Sequence, residues 1–152
     1  MQRMIVIVLG LSAVAMTGCA GPQAERTAVD CEALHQVVST APDGFGPIIG
    51  QQNVTRYGRV GRAKLQAYGN CSVFSSAGEP AVYICSEESA AQQTDSALLV
   101  EEVIRCLGQD WTRNELPSGG MSFEQRDVRI QVGKTDPQAS GDSSVGLTVQ
   151  RR

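Results

Sequence analysis

Four cysteines, Cys31, Cys71, Cys85 and Cys106, constrain this chain more than any other feature. They are spaced too widely for a structural zinc site, whose ligands come in close pairs. The N-terminus also points to an oxidising destination: a short basic start containing Arg3 leads into an uncharged apolar run over residues 4–16. That run falls short of the about 20 residues that cross a bilayer and has the length of a secretory h-region. Outside the cytosol an even set of cysteines reads as a disulfide framework. Aromatic residues make up only 5% of the chain, so the core is built from Val, Ile, Leu and Ala. Two disulfides, typically worth about 2–4 kcal/mol each, then matter to stability.

The fifth cysteine, Cys19, follows the apolar run in the order Met16-Thr17-Gly18-Cys19. An apolar residue, two small residues and a cysteine at this place resemble the lipobox of bacterial lipoproteins, although leucine is commoner than methionine at the first position. The resemblance covers the N-terminus alone, where basic start, apolar length and cysteine position agree. It implies a signal peptide over residues 1–18, diacylglycerol on the Cys19 sulfur, cleavage after Gly18 and acylation of the new amino group. More than one acyl chain makes such anchoring stable. Ala20, standing where aspartate retains lipoproteins of double-membrane bacteria in the inner membrane, implies the outer membrane, with the domain facing the periplasm. Secretion by cleavage near Ala15 is the alternative and leaves Cys19 as an odd thiol.

Residues 19–29 then form the anchor and a short tether, and residues 30–152 a single domain, since a compact domain takes about 100–150 residues. With Arg3 removed, twelve Lys and Arg face sixteen Asp and Glu, a formal charge of −4. Nucleic acid is not an expected partner, because its affinity comes from a concentrated basic surface.

Asp30 has the chemistry of an N-cap. Behind it Cys31, Leu34, Val37, Val38 and Ala41 recur at helical spacing, predicting a helix over 31–40 that ends before Pro42 and Gly44. The glycine-broken stretch 45–53 reads as a loop tucking Phe45, Ile48 and Ile49 under the core. From 62 to 74 the residues alternate, with Leu65, Ala67, Cys71 and Val73 on one side and Tyr68, Ser72 and Phe74 on the other. That run predicts a strand, joined through turn residues 75–80 to a second strand over 81–86. A second helix is expected from 94 or 95 to 107, with Leu99, Val103, Ile104, Cys106 and Leu107 on its apolar stripe and Gly108 as its stop. Residues 121–132 alternate again, with a parity slip that places a bulge or tight turn near Gln125 and Arg126. A polar loop over 133–144 precedes a last strand over 145–149. The order predicts an α+β fold, αββαββ: a four-stranded antiparallel sheet with both helices on one face, in the form of two αββ halves.

Four cysteines allow three pairings. A hairpin centred on Gly78 sets Cys71 opposite Cys85 and leaves Cys31 with Cys106, both on buried helix stripes. The strand-to-helix pairing, Cys31–Cys71 with Cys85–Cys106, stays open because a bridge between adjacent strands demands favourable geometry.

Candidates for chemistry are few. His35 is the only histidine, which removes most metal sites and acid–base schemes. No nucleophile-elbow, phosphate-loop or zinc-protease motif occurs. The pairs Glu87-Glu88 and Glu101-Glu102 read as solvated carboxylates, and neither an enzyme nor a cofactor is expected. Two surfaces stand out instead. Arg56, Arg59, Arg62 and Lys64 put four cations within nine residues, either a charged lead-in that discourages edge pairing or a contact for anionic envelope material. The hairpin register also places Tyr68, Phe74, Val82 and Ile84 on the sheet face away from the helices, among Arg129, Gln131, Thr148 and Gln150. They form an apolar island there unless the 45–50 loop folds across them. These features suggest a non-catalytic, membrane-anchored lipoprotein whose domain binds another envelope component, most simply a protein. The alternative is an inhibitor or immunity lipoprotein that plugs a cell-wall hydrolase or toxin with its 133–144 loop.

Overall fold

The structure, a computed structural model, describes residues 28–87, 95–134 and 145–152. The expectations for the signal peptide and Cys19, and for nearly all of the 133–144 loop, lie outside the described residues.

Helix α1, Cys31–Thr40, starts where the Asp30 carboxylate accepts a hydrogen bond from Ala33 N at 3.0 Å, and buries Ala33, Leu34 and Val37. Packing begins just before the cap: Val29 is buried, and its N–H donates to Glu102 Oε2 at 2.8 Å. Two 3₁₀ turns, Ala41–Asp43 and Gly46–Ile48, follow. Between them Gly44 and Phe45 are both left-handed, at φ 68° and 64°. Phe45 tolerates a conformation that side chains disfavour because its ring is fully buried and packs tilted against Tyr83, centroids 6.0 Å apart.

Four strands follow, β1 (Ile49–Thr55), β2 (Gly58–Ala63), β3 (Asn70–Ser75) and β4 (Val82–Ser86). Helix α2, Ser96–Leu107, is capped by Asp95 and stopped by Gly108 at φ 77°, and buries Leu99, Val103, Cys106 and Leu107. Four more strands follow among the described residues: β5 (Thr112–Glu115), β6 (Gly120–Gln125), β7 (Val128–Lys134) and β8 (Val145–Arg151). All eight join one antiparallel sheet in the order β1-β2-β3-β4-β8-β7-β6-β5. Each half is one helix and a four-strand meander, and the halves meet at the β4–β8 pair.

The expected four-stranded αββαββ sheet is therefore corrected to a largely β architecture of eight strands. The two-half form is present, but each half holds four strands instead of two. Of the expected loop and charged lead-in, residues 49–63 are the β1–β2 hairpin, whereas Phe45 and Ile48 tuck into the core as expected. The parity slip near Gln125 is a full reversal through Arg126 and Asp127 that separates β6 from β7. The supposed single strand over 62–74 breaks after Ala63, and β3 begins only at Asn70.

Inward side chains of the central strands, among them Val73, Tyr83, Leu147, Val149, Ile130, Val132 and Phe123, form one core with the apolar faces of α1 and α2. Two disulfides cross it. Cys71–Cys85 joins directly opposed residues of β3 and β4, and Cys31–Cys106 ties α1 to α2. This is the pairing that the hairpin register favoured, and no strand-to-helix bridge forms.

Candidate functional site

The most distinctive surface is the sheet face turned away from the helices. Opposed residues of antiparallel strands share a face, so the register assigns its occupants. Phe74 lies opposite Val82, and Ser72 opposite Ile84. On the far side of Phe74 stands Val60 of β2, followed by Asn53 of β1. Val60, Phe74 and Val82 thus run side by side across three strands, each half-buried. Ile84, two residues on from Val82, is 37% exposed. Beyond them the face turns polar: Gln150 opposes Val82, Thr148 opposes Ile84, and Arg129 and Gln131 stand next on β7. Arg129 is neutralised by Glu124, Nε to Oε1 2.7 Å, and Arg152 reaches the same carboxylate at 3.2 Å.

No described helix or strand lies over this island. The stretch 45–50, which could have covered it, goes the other way. Phe45 and Ile48 are buried in the helix-side core, Phe45 against the inward-facing Tyr83. Phe74, Val82 and Ile84 are therefore brought together as expected, and Val60 joins them. Its contribution was concealed because β2 reads Gly-Arg-Val-Gly-Arg-Ala, in which Gly61 and Ala63 take the buried places.

Tyr68 does not belong to this face. Expected outward, it is 1% exposed, because residues 64–69 are a bent connection and not strand. Gly69 turns the chain at φ 54°. The Gln66 side chain braces the bend, donating to Ala63 O and accepting from Cys71 N at 2.6 Å. Asp30 N donates to Ala67 O at 2.9 Å. Tyr83 completes the brace from within the core: its hydroxyl accepts from Ala67 N at 3.0 Å and donates to Leu65 O at 2.9 Å. Burial pushes the Tyr83 phenol up to about 12, opposed by the hydrogen bond from the Ala67 backbone.

The four cations all lie on or beside the β1–β2 ribbon, and all are exposed. They do not form one patch. Arg62 is on the outer face opposite Ser72, next to Val60 on the same strand. Arg59 points to the other side, opposite Val54 and Ser75. Arg56 sits in the turn with its guanidinium 4.5 Å from the Tyr57 ring centroid. Lys64 lies past the end of β2 and reaches Pro47 O at 3.4 Å. Two exposed apolar side chains missed from sequence share the ribbon, Val54 at 81% and Tyr57 at 67%. His35 is exposed on α1. Among the described residues no three of His, Cys, Asp and Glu gather in a metal-binding group, and no helix is long and apolar enough to cross a membrane.

No protein-family model matches this chain, and neither a curated protein nor a solved structure shows significant similarity to it.

Proposed function

We propose that the chain is a bacterial envelope lipoprotein, cut after Gly18 and acylated on Cys19, whose domain is a non-catalytic binding module for another envelope component. The observation that carries the binding role is the half-buried row Val60–Phe74–Val82, over which no described helix or strand lies, with the exposed Ile84 beside it. A contiguous apolar patch rimmed by polar groups is the usual mark of an interaction surface. The acylated N-terminus accounts for the short tether and for the odd fifth cysteine, and an outer-membrane address follows from Ala20.

A photo-crosslinking residue at Ile84 tests the binding role in intact cells, with an exposed α1 position such as Gln36 as control. One adduct specific to position 84 is expected, lost when Phe74→Ser is introduced in the crosslinking chain. In the otherwise unaltered chain, Phe74→Ser with Ile84→Ser is expected to lower stability by only about 1 kcal/mol, because neither side chain is in the core. Equal labelling from positions 36 and 84 refutes the role of this face. Metabolic labelling with a palmitate analogue tests the anchor, and label retained by Cys19→Ser refutes it.

A further inference from the structure

The two edges of the sheet are unequally protected. Strand β5 is four residues long, carries Arg113 and Glu115, and leads to Pro117. Short length, charge and proline are the devices that keep an edge from pairing with other chains. Strand β1 is seven residues long with no charge and no proline, and Gln51 to Thr55 are all exposed. Its one irregularity, between Ile49 and Gln52, precedes the regular stretch 52–55. Nothing among the described residues pairs with its free side.

The charge beside that edge is one-sided. Residues 44–78 hold Arg56, Arg59, Arg62 and Lys64 and not a single Asp or Glu, in a chain that is acidic as a whole. None of the four makes an ion pair among the described residues, whereas Arg129 and Arg152 both do. Strands lie about 4.8 Å apart, so a strand added to β1 runs about 10 Å from β2. That distance is comparable to the Debye length at about 0.1 M salt, and Arg and Glu side chains together span it. Cations on both faces of the ribbon and at its turn suit an added strand, whose side chains also alternate between faces. A second copy is the wrong occupant, because pairing β1 with β1 gathers two such cation sets around one seam.

We infer that β1 is a docking edge for an acidic, extended segment of a partner protein, which adds as a further strand with its carboxylates among Arg56, Arg59, Arg62 and Lys64. This deepens the reading of the domain as a binding module by naming the partner's chemistry, and it uses the β1 edge, which adjoins the Phe74 face at Arg62.

The probe is a dye-labelled, end-capped peptide of nine alternating Glu and Val residues, titrated by fluorescence anisotropy with the full chain in a non-ionic detergent. Two control peptides replace every Glu by Lys or N-methylate alternate amides, the second blocking strand pairing without touching the protein. The acidic peptide is expected to bind at least about tenfold more tightly than either control, and tenfold is a clear margin. Changing the four cations to Gln is expected to weaken it at least about tenfold at ~50 mM salt, with the difference closing at ~0.5 M. Equal binding of the N-methylated peptide overturns strand addition. Failure of the acidic peptide to bind, with cation-dependent binding to phosphatidylglycerol vesicles, overturns it in favour of a lipid surface. A dimer in sedimentation equilibrium that the peptide leaves intact overturns it in favour of self-pairing. Peptide binding that fails while Ile84 crosslinking persists removes this inference alone. Lost crosslinking with intact peptide binding removes the Phe74 face alone.

Discussion

Tyr83→Phe deletes one oxygen at a point where the core and the 64–69 connection are joined. The hydroxyl is the hydrogen-bond partner of both Ala67 N, at 3.0 Å, and Leu65 O, at 2.9 Å. In the variant the buried Ala67 N–H has lost its partner, and an unsatisfied buried donor costs about 1–3 kcal/mol. The same oxygen makes stability depend on alkaline pH. The folded protein holds the phenol neutral up to about 12, whereas an exposed tyrosine ionises at 10.0. The contribution is fully present below pH 10.0 and is lost as pH rises toward about 12. Across that gap it amounts to about 3 kcal/mol. Urea unfolding under non-reducing conditions, followed by far-UV circular dichroism in steps from pH 7 to 12, reads both effects. The variant is expected to be less stable at neutral pH and to have a flatter alkaline limb than the parent. An unchanged alkaline limb refutes the assignment of that limb to Tyr83, and unchanged neutral stability refutes the bracing role of its hydroxyl.

The two disulfides are expected to differ in worth. Cys31–Cys106 spans 75 residues and Cys71–Cys85 spans 14, so chain entropy assigns about 4–5 and about 3 kcal/mol to them. Paired Cys→Ala variants compared by urea midpoint test this order, which a larger loss from the shorter loop overturns. Gly120→Ala is expected to destabilise the fold by at least about 3 kcal/mol. Its φ is 107°, and an added Cβ falls 2.1 Å from Val132 O. A variant melting within a few degrees of the parent contradicts that steric account.

The legible parts of the fold were those whose pattern and punctuation agree. Both helices show an apolar stripe closed by Asp30 or Asp95 at one end and by glycine or proline at the other. The β3–β4 hairpin, with its register, follows from Gly78 lying midway between Cys71 and Cys85. The missed strands lacked such signals for identifiable reasons. Strand β1 is an edge with five consecutive exposed residues, and β5 is polar throughout, so neither alternates in hydrophobicity. Strand β2 fills its inward positions with Gly61 and Ala63, too small to register as an apolar face. The turns were nearly as silent, the second marked only by the parity slip near Gln125. Arg56-Tyr57 and Arg126-Asp127 reverse the chain in two residues, where Asn-Gly or Asp-Gly is the expected signature. Arg126 takes the left-handed conformation, φ 53°, without being glycine. Alternation misplaces Tyr68 because it runs unbroken through a bend whose geometry depends on Gln66, Asp30 and Tyr83, contacts that no local pattern encodes. Phe74, Val82 and Ile84 were placed correctly because they depend only on the register of one hairpin.

The β4–β8 seam bears on how the chain reaches this state. Within each half, every strand pairs with its sequence neighbour, so each meander closes loops far shorter than the one the seam closes. Only the seam pairs residues far apart, such as Tyr83 with Val149. Loops that long close slowly, and topologies rich in distant contacts fold slowly. Cys31–Cys106 lies on the helix side of the same junction, one cysteine from each half. Once oxidised, it holds the halves within reach of each other and shortens the search for the seam. Refolding from the oxidised unfolded chain is therefore expected to be faster than from the reduced one, and that acceleration is available only in a compartment that oxidises thiols.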